Sequence, residues 1–389
     1  MIKDIGYLPI FNSRGDFTIQ VWVTTSHGNF FASAPSGKSR GKWEAKTLSL
    51  SKIKKVFPKV RKALIEMRED NLELIDEELM KIGGKNLGKI GANLSIAVSM
   101  ACTRAASKNK VYRFSGLKKE FPYPLGNVLG GGVHGGYTSI QEFLVIPKKA
   151  KTIEKAIETN FKIWKEIGAA LRLKGINAGR NDEGAWFTRM DDFKTLDLLT
   201  KIAEKHGAKV GLDMAASEYY KKGKYIYDHL GKKLSSGEQL DFVENLIKTY
   251  KLGYVEDPFH QNDFLSFAEL RKKVKCMICG DDLFVTNPER LSRGILRHSG
   301  NTILIKPDQI GTITKTLETV RTAKNADYGI VVSHRSGETS DPFIADFAVN
   351  VGADLIKCGV SGGERVSKLN RLLEIWSALN KPEMKKLRL

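Results

Sequence analysis

The chain of 389 residues is 41% hydrophobic and 28% charged, which is typical of a globular protein and excludes a fibrous or disordered class. It contains no run of about 18 apolar residues and no signal-peptide pattern, so we predict no membrane span and a cytoplasmic location. The net charge of +19 indicates an anionic partner, and because lysines are spread along the whole chain, we favour a small anionic substrate over nucleic acid.

The first part of the chain predicts a small α+β domain. Residues 17–34 alternate in polarity and turn at His27-Gly28-Asn29, which indicates a β-hairpin. Residues 52–110 contain three helix-like segments, so we assign residues 1–117 to this domain. The second domain is predicted over residues 118–389, with a linker at Phe121 to Pro124.

A glycine-rich segment follows the linker. Residues 130–136 match the GxGxxG pattern of dinucleotide sites, but a strand-like segment comes next where such a site needs a helix. We therefore interpret these glycines as freeing the backbone to place His134 beside an anionic ligand.

The second domain contains short apolar runs, separated by helices, that each end on a charged or polar residue. Several recur at about 25 residues, the length of one strand, one helix and two short loops. Such runs predict parallel strands buried on both faces, and in a barrel their terminal residues meet at one mouth. We therefore predict an α/β fold in which the α+β domain precedes a TIM-like αβ barrel. The terminal residues are Asp213, Glu256 with Asp257, Asp281 with Asp282, Lys306, His334 to Ser336, and Lys357.

Three of these residues predict a metal site. Asp213, Glu256 and Asp281 offer hard oxygen ligands with no Cys or His beside them, which suits Mg²⁺. The alternative is that each caps the helix after it, and three in phase make that alternative the weaker one. Cys276 and Cys279 form a CxxC that is typical of a redox or metal pair, but they lie in a strand-like run without a second CxxC.

Other residues at the predicted mouth suit proton transfer and anion binding. Lys306 beside a divalent cation would have a lowered pKa and act as a general base, although a clamp for phosphate or carboxylate is the alternative. Arg335, Ser336 and Lys357 suit the binding of a phosphate. Glu183 lies in a loop rich in Gly and Asn, and taken alone it is most simply a solvated loop residue.

The chain resembles the enolase family in ordered segments that run almost from end to end. The resembling segments include NSRGDFT (12–18), PSGKSRG (35–41), NVLGGGVHGG (127–136), IQEF (140–143), NDEG (181–184), LDMAASEYY (212–220), VEDPF (255–259), GDDLFVTNP (280–288), KPDQIGT (306–312), VSHRSGET (332–339) and IKCG (356–359). This resemblance implies a lyase that interconverts 2-phosphoglycerate and phosphoenolpyruvate with two Mg²⁺ per active site. It also implies a homodimer or a multiple of dimers.

The resemblance further implies a role for each matching residue. Lys306 matches the base that removes the α-proton, and Glu183, supported by Glu142, matches the acid that helps the β-hydroxyl leave. The implied metal ligands are Asp213, Glu256 and Asp281, with Ser39 of the mobile loop 35–41 on a second Mg²⁺. The implied substrate contacts are His134, Gln141, His334, Arg335, Ser336 and Lys357.

The chain also departs from the family pattern. Lys38 and Arg40 replace a small residue and a threonine of the mobile loop, Asp308 replaces an asparagine, and the loop 359–366 lacks the usual Pro-x-Arg-Ser. Whether Lys38 and Arg40 face the substrate or the solvent stays open at this stage. Two alternatives therefore remain: a lyase of the same superfamily that acts on another phosphorylated or dicarboxylic acid, and a non-catalytic binding protein with a basic surface.

Overall fold

The computed structural model describes residues 1–38, 41–116, 120–379 and 382–387. The strands, numbered in chain order, are β1 (Asp4–Phe11), β2 (Phe17–Thr25), β3 (Gly28–Ser33), β4 (Glu120–Phe121), β5 (Tyr123–Gly130), β6 (Glu142–Ile146), β7 (Trp186–Phe187), β8 (Lys209–Asp213), β9 (Tyr220–Lys221), β10 (Lys224–Tyr227), β11 (Lys232–Leu234), β12 (Tyr254–Glu256), β13 (Met277–Gly280), β14 (Thr302–Ile305), β15 (Gly329–Ser333), β16 (Leu355–Gly359) and β17 (Glu383–Met384).

The helices are numbered in the same way. They are α1 (Leu50–Leu64), α2 (Leu72–Gly83), α3 (Ala92–Ala106), α4 (Ile153–Leu173), α5 (Asp192–Lys205), α6 (Ser236–Tyr250), α7 (Phe264–Lys273), α8 (Pro288–Leu296), α9 (Pro307–Ile310), α10 (Ile313–Asn325), α11 (Phe343–Val351) and α12 (Gly363–Ala378). Among the described residues, no helix combines the length and the apolar character that crossing a membrane requires.

The N-terminal part is an antiparallel sheet in the order β1-β2-β3, followed by α1 to α3. The predicted hairpin is confirmed, but its turn lies at Ser26-His27, because Thr25 pairs with Gly28. The sequence analysis did not identify β1, which pairs with β2 along its whole length.

The predicted αβ barrel is confirmed, with one correction to its strand directions. Its strands are β5, β6, β8, β12, β13, β14, β15 and β16, and pairing of β16 with β5 closes the ring. The strands are not all parallel, because β6 runs antiparallel to both β5 and β8. The reversal places the first residue of β6, Glu142, opposite the last residue of β8, Asp213. The first residue of this antiparallel strand therefore lies at the same mouth of the barrel as the last residues of the parallel strands.

Local capping signals fix where several barrel helices begin. Asn287 accepts a hydrogen bond from the N–H of Arg290, with Pro288 at the first helical position of α8. At α11, Pro342 occupies the cap position. The Asp341 carboxylate before it accepts a hydrogen bond from the N–H of Phe343 and forms an ion pair with Arg104.

A buried carboxylate joins the N-terminal helices to the barrel. Asp76 of α2 accepts hydrogen bonds from Ser99 Oγ at 3.0 Å and from the N–H of Thr314 at 2.8 Å. Burial raises the pKa of Asp76 to about 6. The folded state therefore holds this proton more tightly than the unfolded chain does. As a result, stability is lost as the pH rises from about 4 through 6, by on the order of 3 kcal/mol.

We expect Asp76→Asn to remove this part of the pH dependence. The difference in Tm between the variant and the wild type should be more positive at neutral pH than at about pH 4, where both side chains are neutral. Thermal unfolding at the two pH values measures it. The control Glu77→Gln changes the exposed neighbour on α2 and should show an equal difference at both pH values. An equal difference for Asp76→Asn would contradict the prediction.

Candidate active site

A pocket at the mouth of the barrel collects most of the residues singled out in the sequence. Its volume is only about 30 Å³, because charged side chains fill it. Glu256 lies beneath the pocket, fully buried, and contacts Lys357. The pocket is lined by Gly37, Lys38, Gln141, Glu142, Glu183, Asp213, Asp281, Lys306, Ser333, His334, Arg335, Ser336 and Lys357.

Two of the predicted site residues have no described side-chain position. Ser39 lies outside the described residues, as does Arg40. The backbone of His134 lies in a short turn of helix, Gly132–His134, but its side chain is not described.

Lys357 sits among three buried carboxylates at the base of the pocket. Its Nζ lies 2.8 Å from Asp213 Oδ2, 2.9 Å from Glu256 Oε2 and 3.2 Å from Glu142 Oε2. Burial would lower the pKa of Lys357, but the carboxylates, Asp213 first, outweigh it and raise that pKa. Burial and then the Asp213 carboxylate raise the pKa of Glu256 to about 8. The base of the pocket thus has more carboxylates than one lysine neutralises.

A second ion pair joins Lys306 to Asp281, with 2.5 Å between Nζ and Oδ2. Burial would lower the pKa of Lys306, but Asp281 outweighs it and raises that pKa above its ordinary value. The nearest charge to Lys306 in this structure is that carboxylate. The lowered pKa expected from the sequence requires a divalent cation beside Lys306, and it stays a prediction.

The carboxylates around β12 and β13 fit a divalent cation. Asp257, Asp281 and Asp282 bring ligand oxygens within 4.8 Å of one another. Asp257 also accepts the N–H groups of Asp281 and Asp282, at 3.1 and 2.7 Å, which fixes the turn after β13. Burial and then Asp281 raise the pKa of Asp282 to about 7. Burial also raises the pKa of Asp257, whereas at Asp281 burial is outweighed by the charge of Lys306, which lowers the pKa. A crowded set of carboxylates with only oxygen donors is what hard cations such as Mg²⁺ bind.

The sequence analysis placed Asp257 and Asp282 at strand ends but gave them no role. Their position in the sequence could have indicated a role, since each directly follows a predicted metal ligand. In the structure, the predicted trio is divided between two lysines: Asp213 and Glu256 contact Lys357, whereas Asp281 contacts Lys306.

Glu183 is buried, not a solvated loop residue, and its loop is held by local contacts. Asn181 Oδ1 accepts hydrogen bonds from the N–H groups of Glu183 and Ala185, both at 3.0 Å. Gly184 has φ +78, and a Cβ there would lie 1.8 Å from the carbonyl oxygen of Ser361, so only glycine fits. The side chain of Asn127 donates to Glu183 Oε2 at 3.0 Å. The carboxyl group is therefore fixed in the pocket.

Arg335 is held between two carboxylates. Its Nη2 lies 3.0 Å from Glu44 Oε2, and its Nη1 lies 3.3 Å from Asp308 Oδ2. Burial raises the pKa of Asp308 to about 6. Asp308 departs from the family pattern, but its contact with Arg335 was not predicted from the sequence, and neither was the role of Glu44. No local sequence pattern indicates either contact, because Arg335 is far from both Glu44 and Asp308 along the chain.

Gly37 and Lys38, which precede the undescribed residues 39 and 40, contact the site. The N–H of Lys38 donates to Ser336 Oγ at 2.9 Å, and Lys38 Nζ lies 3.2 Å from Asp182 Oδ2. Gly37 packs against Arg335, since a Cβ there would lie 1.9 Å from Arg335 Nη2. Lys38 thus lies at the rim of the pocket, and its amine contacts Asp182, the residue before Glu183.

Comparisons with known proteins agree with this architecture. The family model for the enolase N-terminal domain matches residues 2–114, and that for the enolase C-terminal TIM barrel domain matches residues 118–384. The enolase of Archaeoglobus fulgidus is 43% identical over 99% of both chains. The enolases of Methanosphaera stadtmanae and Methanothermobacter thermautotrophicus are each 41% identical, over 99% and 96% of both chains respectively. This chain therefore belongs to the enolase family, and it is a lyase.

Proposed function

We propose that this chain interconverts 2-phosphoglycerate and phosphoenolpyruvate by removing the α-proton and expelling the β-hydroxyl. The observation that carries the proposal is that one buried pocket contains both an amine, Lys306, and a separate carboxyl group, Glu183, above a cluster of carboxylates. The reaction needs a base for a weakly acidic proton and an acid for a poor leaving group. We propose Lys306 as the base and Glu183 as the acid.

In the proposed mechanism, Lys306 Nζ takes the α-proton and Glu183 gives a proton to the leaving hydroxyl. Mg²⁺ held by Asp213, Glu256 and Asp281, with a second ion on Ser39, would offset the negative charge that develops on the substrate carboxylate. Lys306 accepts a proton only after losing its own, and its ion pair with Asp281 sets how readily it does so. Glu142, beside Lys357, supports the set by completing the buried charge cluster.

The remaining pocket residues would bind the phosphate and carboxylate of the substrate. Arg335 offers a planar fork, Ser336 a hydroxyl and Lys357 a point charge, and Gln141 and His334 line the rest of the pocket. We propose His134 as a further substrate contact. Because Glu44 and Asp308 already orient the Arg335 guanidinium, it is placed before the substrate arrives. An incoming phosphate would then compete with these carboxylates for the same N–H groups.

The direct test is the absorbance of phosphoenolpyruvate formed from 2-phosphoglycerate, with and without Mg²⁺. We expect steady formation that requires Mg²⁺ and stops when a chelator is added. A folded protein that binds Mg²⁺ but forms no phosphoenolpyruvate would contradict the proposed reaction.

We also propose that the protein acts in the cytoplasm, in glycolysis and gluconeogenesis. We further propose that it forms a homodimer or a multiple of dimers. The support is the family to which the chain belongs and a pair of exposed, stacked rings on the N-terminal sheet. Phe11 and Phe17 lie 4.5 Å apart between ring centroids, and each is more than half exposed. A second copy would remove this apolar surface from water. Light scattering coupled to size exclusion gives the mass that decides it.

The ion pair between Lys38 and Asp182 predicts a modest effect on substrate binding. Lys38 and Asp182 are 45% and 31% exposed, so their ion pair is worth only about 0–1 kcal/mol. We expect Lys38→Ala to raise KM for 2-phosphoglycerate up to about fivefold, and to weaken its dependence on salt, with kcat little changed. Kinetics over a range of ionic strength measure this, with the exposed Lys42→Ala as the matched control. Identical salt curves for wild type and Lys38→Ala would mean that Lys38 only adds to the basic surface.

A further inference from the structure

Arg365 is a fully buried arginine that the proposed mechanism does not use. It lies in the first turn of α12, in the loop region where the chain departs from the family pattern, and none of its side chain is exposed. Its Nη1 donates to the carbonyl oxygen of Arg335 at 2.6 Å, and its Nη2 donates to the carbonyl oxygens of Ser336 at 2.7 Å and Asp182 at 3.0 Å. One guanidinium thus joins the loop after β15 to the loop that carries Glu183.

The remaining N–H of Arg365 Nη1 contacts a histidine. Nη1 lies 2.8 Å from His334 Nδ1, and the N–H of Gly359 also points to this Nδ1, at 3.4 Å. A guanidinium has only donors and stays protonated in proteins, so Nδ1 must present a lone pair. A neutral imidazole whose Nδ1 accepts carries its proton on Nε2. The contact with Arg365 therefore selects one tautomer of His334.

The other ring nitrogen faces the catalytic carboxyl group. His334 Nε2 lies 3.3 Å from Glu183 Oε2, and it makes no well-aligned hydrogen bond to the described residues. Burial lowers the pKa of His334 to about 4: the Glu183 and Glu338 carboxylates oppose this shift, and the Arg365 charge adds to it. At neutral pH the ring is thus an uncharged donor whose Nε2–H lies at the pocket wall and faces Glu183.

We propose that Arg365 is a positioning residue that fixes His334 as a neutral Nε2–H donor beside Glu183, so that the oxygen expelled from the substrate is held between the two. The assignment to the expelled oxygen rests on the proposed dehydration, whereas the tautomer does not. A neutral donor stabilises the departing hydroxyl without competing with Glu183 for the role of acid. A charged imidazolium in the same position would instead pair with the Glu183 carboxylate and oppose its protonation.

The tautomer is measured directly by NMR on the full-length protein with ¹⁵N-labelled histidine and no substrate. The chain has 7 histidines, and the spectrum of His334→Gln identifies the resonances of interest. We expect a proton-bearing Nε2 and a lone-pair Nδ1 that stay unchanged from about pH 6 to pH 8. A ring protonated on Nδ1, or one that titrates in this range, overturns the proposal whether or not the chain has the proposed activity.

The kinetic test compares Arg365→Gln with Arg371→Gln. Arg371 lies on the same helix, but its guanidinium bonds to Asp346 at 2.8 and 2.9 Å, away from the pocket. We expect Arg365→Gln to lower kcat by about 100-fold with a smaller change in KM, because a misplaced group near the chemistry costs about this much. Arg371→Gln should keep the wild-type kcat.

A lower melting temperature alone does not support the proposal, since a buried arginine also stabilises the fold. In a folded Arg365→Gln protein, the His334 spectrum must change together with kcat. An unchanged tautomer with unchanged kcat would assign Arg365 a purely structural role. If the variant does not fold, the spectrum of the wild-type protein alone decides whether His334 has the proposed tautomer.

Discussion

Lys306→Ala is expected to lower the rate of phosphoenolpyruvate formation by about 10²–10⁴-fold, the usual loss when a catalytic acid or base is removed. Lys306 lies in the pocket and follows β14, one barrel unit after Asp281. The substitution takes away the amine but leaves the carboxylates in place. We therefore expect the effect on kcat to be much larger than the effect on Mg²⁺ binding.

Steady-state rates and calorimetric Mg²⁺ titrations of the same protein samples separate these two effects. Lys315→Ala is a suitable control, because Lys315 pairs with Glu318 on the surface of α10. If Lys306→Ala keeps more than about a tenth of the wild-type rate, Lys306 is not the base. Weakened Mg²⁺ binding with a proportional loss of rate would instead indicate that the lysine serves the metal site.

Glu183→Gln should separate the two halves of the proposed reaction. Glutamine has nearly the same shape, so Asn127 and the loop at Asn181 retain their geometry, but it cannot donate the proton that the leaving hydroxyl needs. We expect dehydration to fall by about 10²–10⁴-fold, whereas removal of the α-proton by Lys306 continues. We expect the two steps to separate because Lys306 and Glu183 are different groups on different loops of the barrel.

The measurement is the exchange of the α-proton of 2-phosphoglycerate with deuterated solvent, followed by NMR beside phosphoenolpyruvate formation. Glu158→Gln changes a surface carboxylate paired with Lys155 and serves as the matched control. Loss of both exchange and dehydration in a folded variant that binds Mg²⁺ would assign Glu183 a structural role. Retention of both would mean that another group is the acid.

The fold could be predicted from local patterns in the sequence. The runs before Asp213, Glu256, Asp281 and Lys306 are apolar because both faces of each strand are buried, and their spacing reflects one helix per strand. Caps such as Asn287 before Pro288 also act within one helical turn. The reversed direction of β6 was not predicted, because strand direction depends on the connection before it, not on the strand's own residues.

The sequence by itself determined that the strand-end residues Asp213, Asp281, Lys306 and Lys357 reach the pocket, since the ends of neighbouring strands must meet at one mouth. Only the tertiary structure decided their charge states and partners. Lys306 pairs with Asp281, Lys357 with three carboxylates, and Arg365 with His334. These contacts depend on burial and on distances between residues far apart in the chain. Electrostatic energies change with every ångström in a buried site, so no local pattern encodes them.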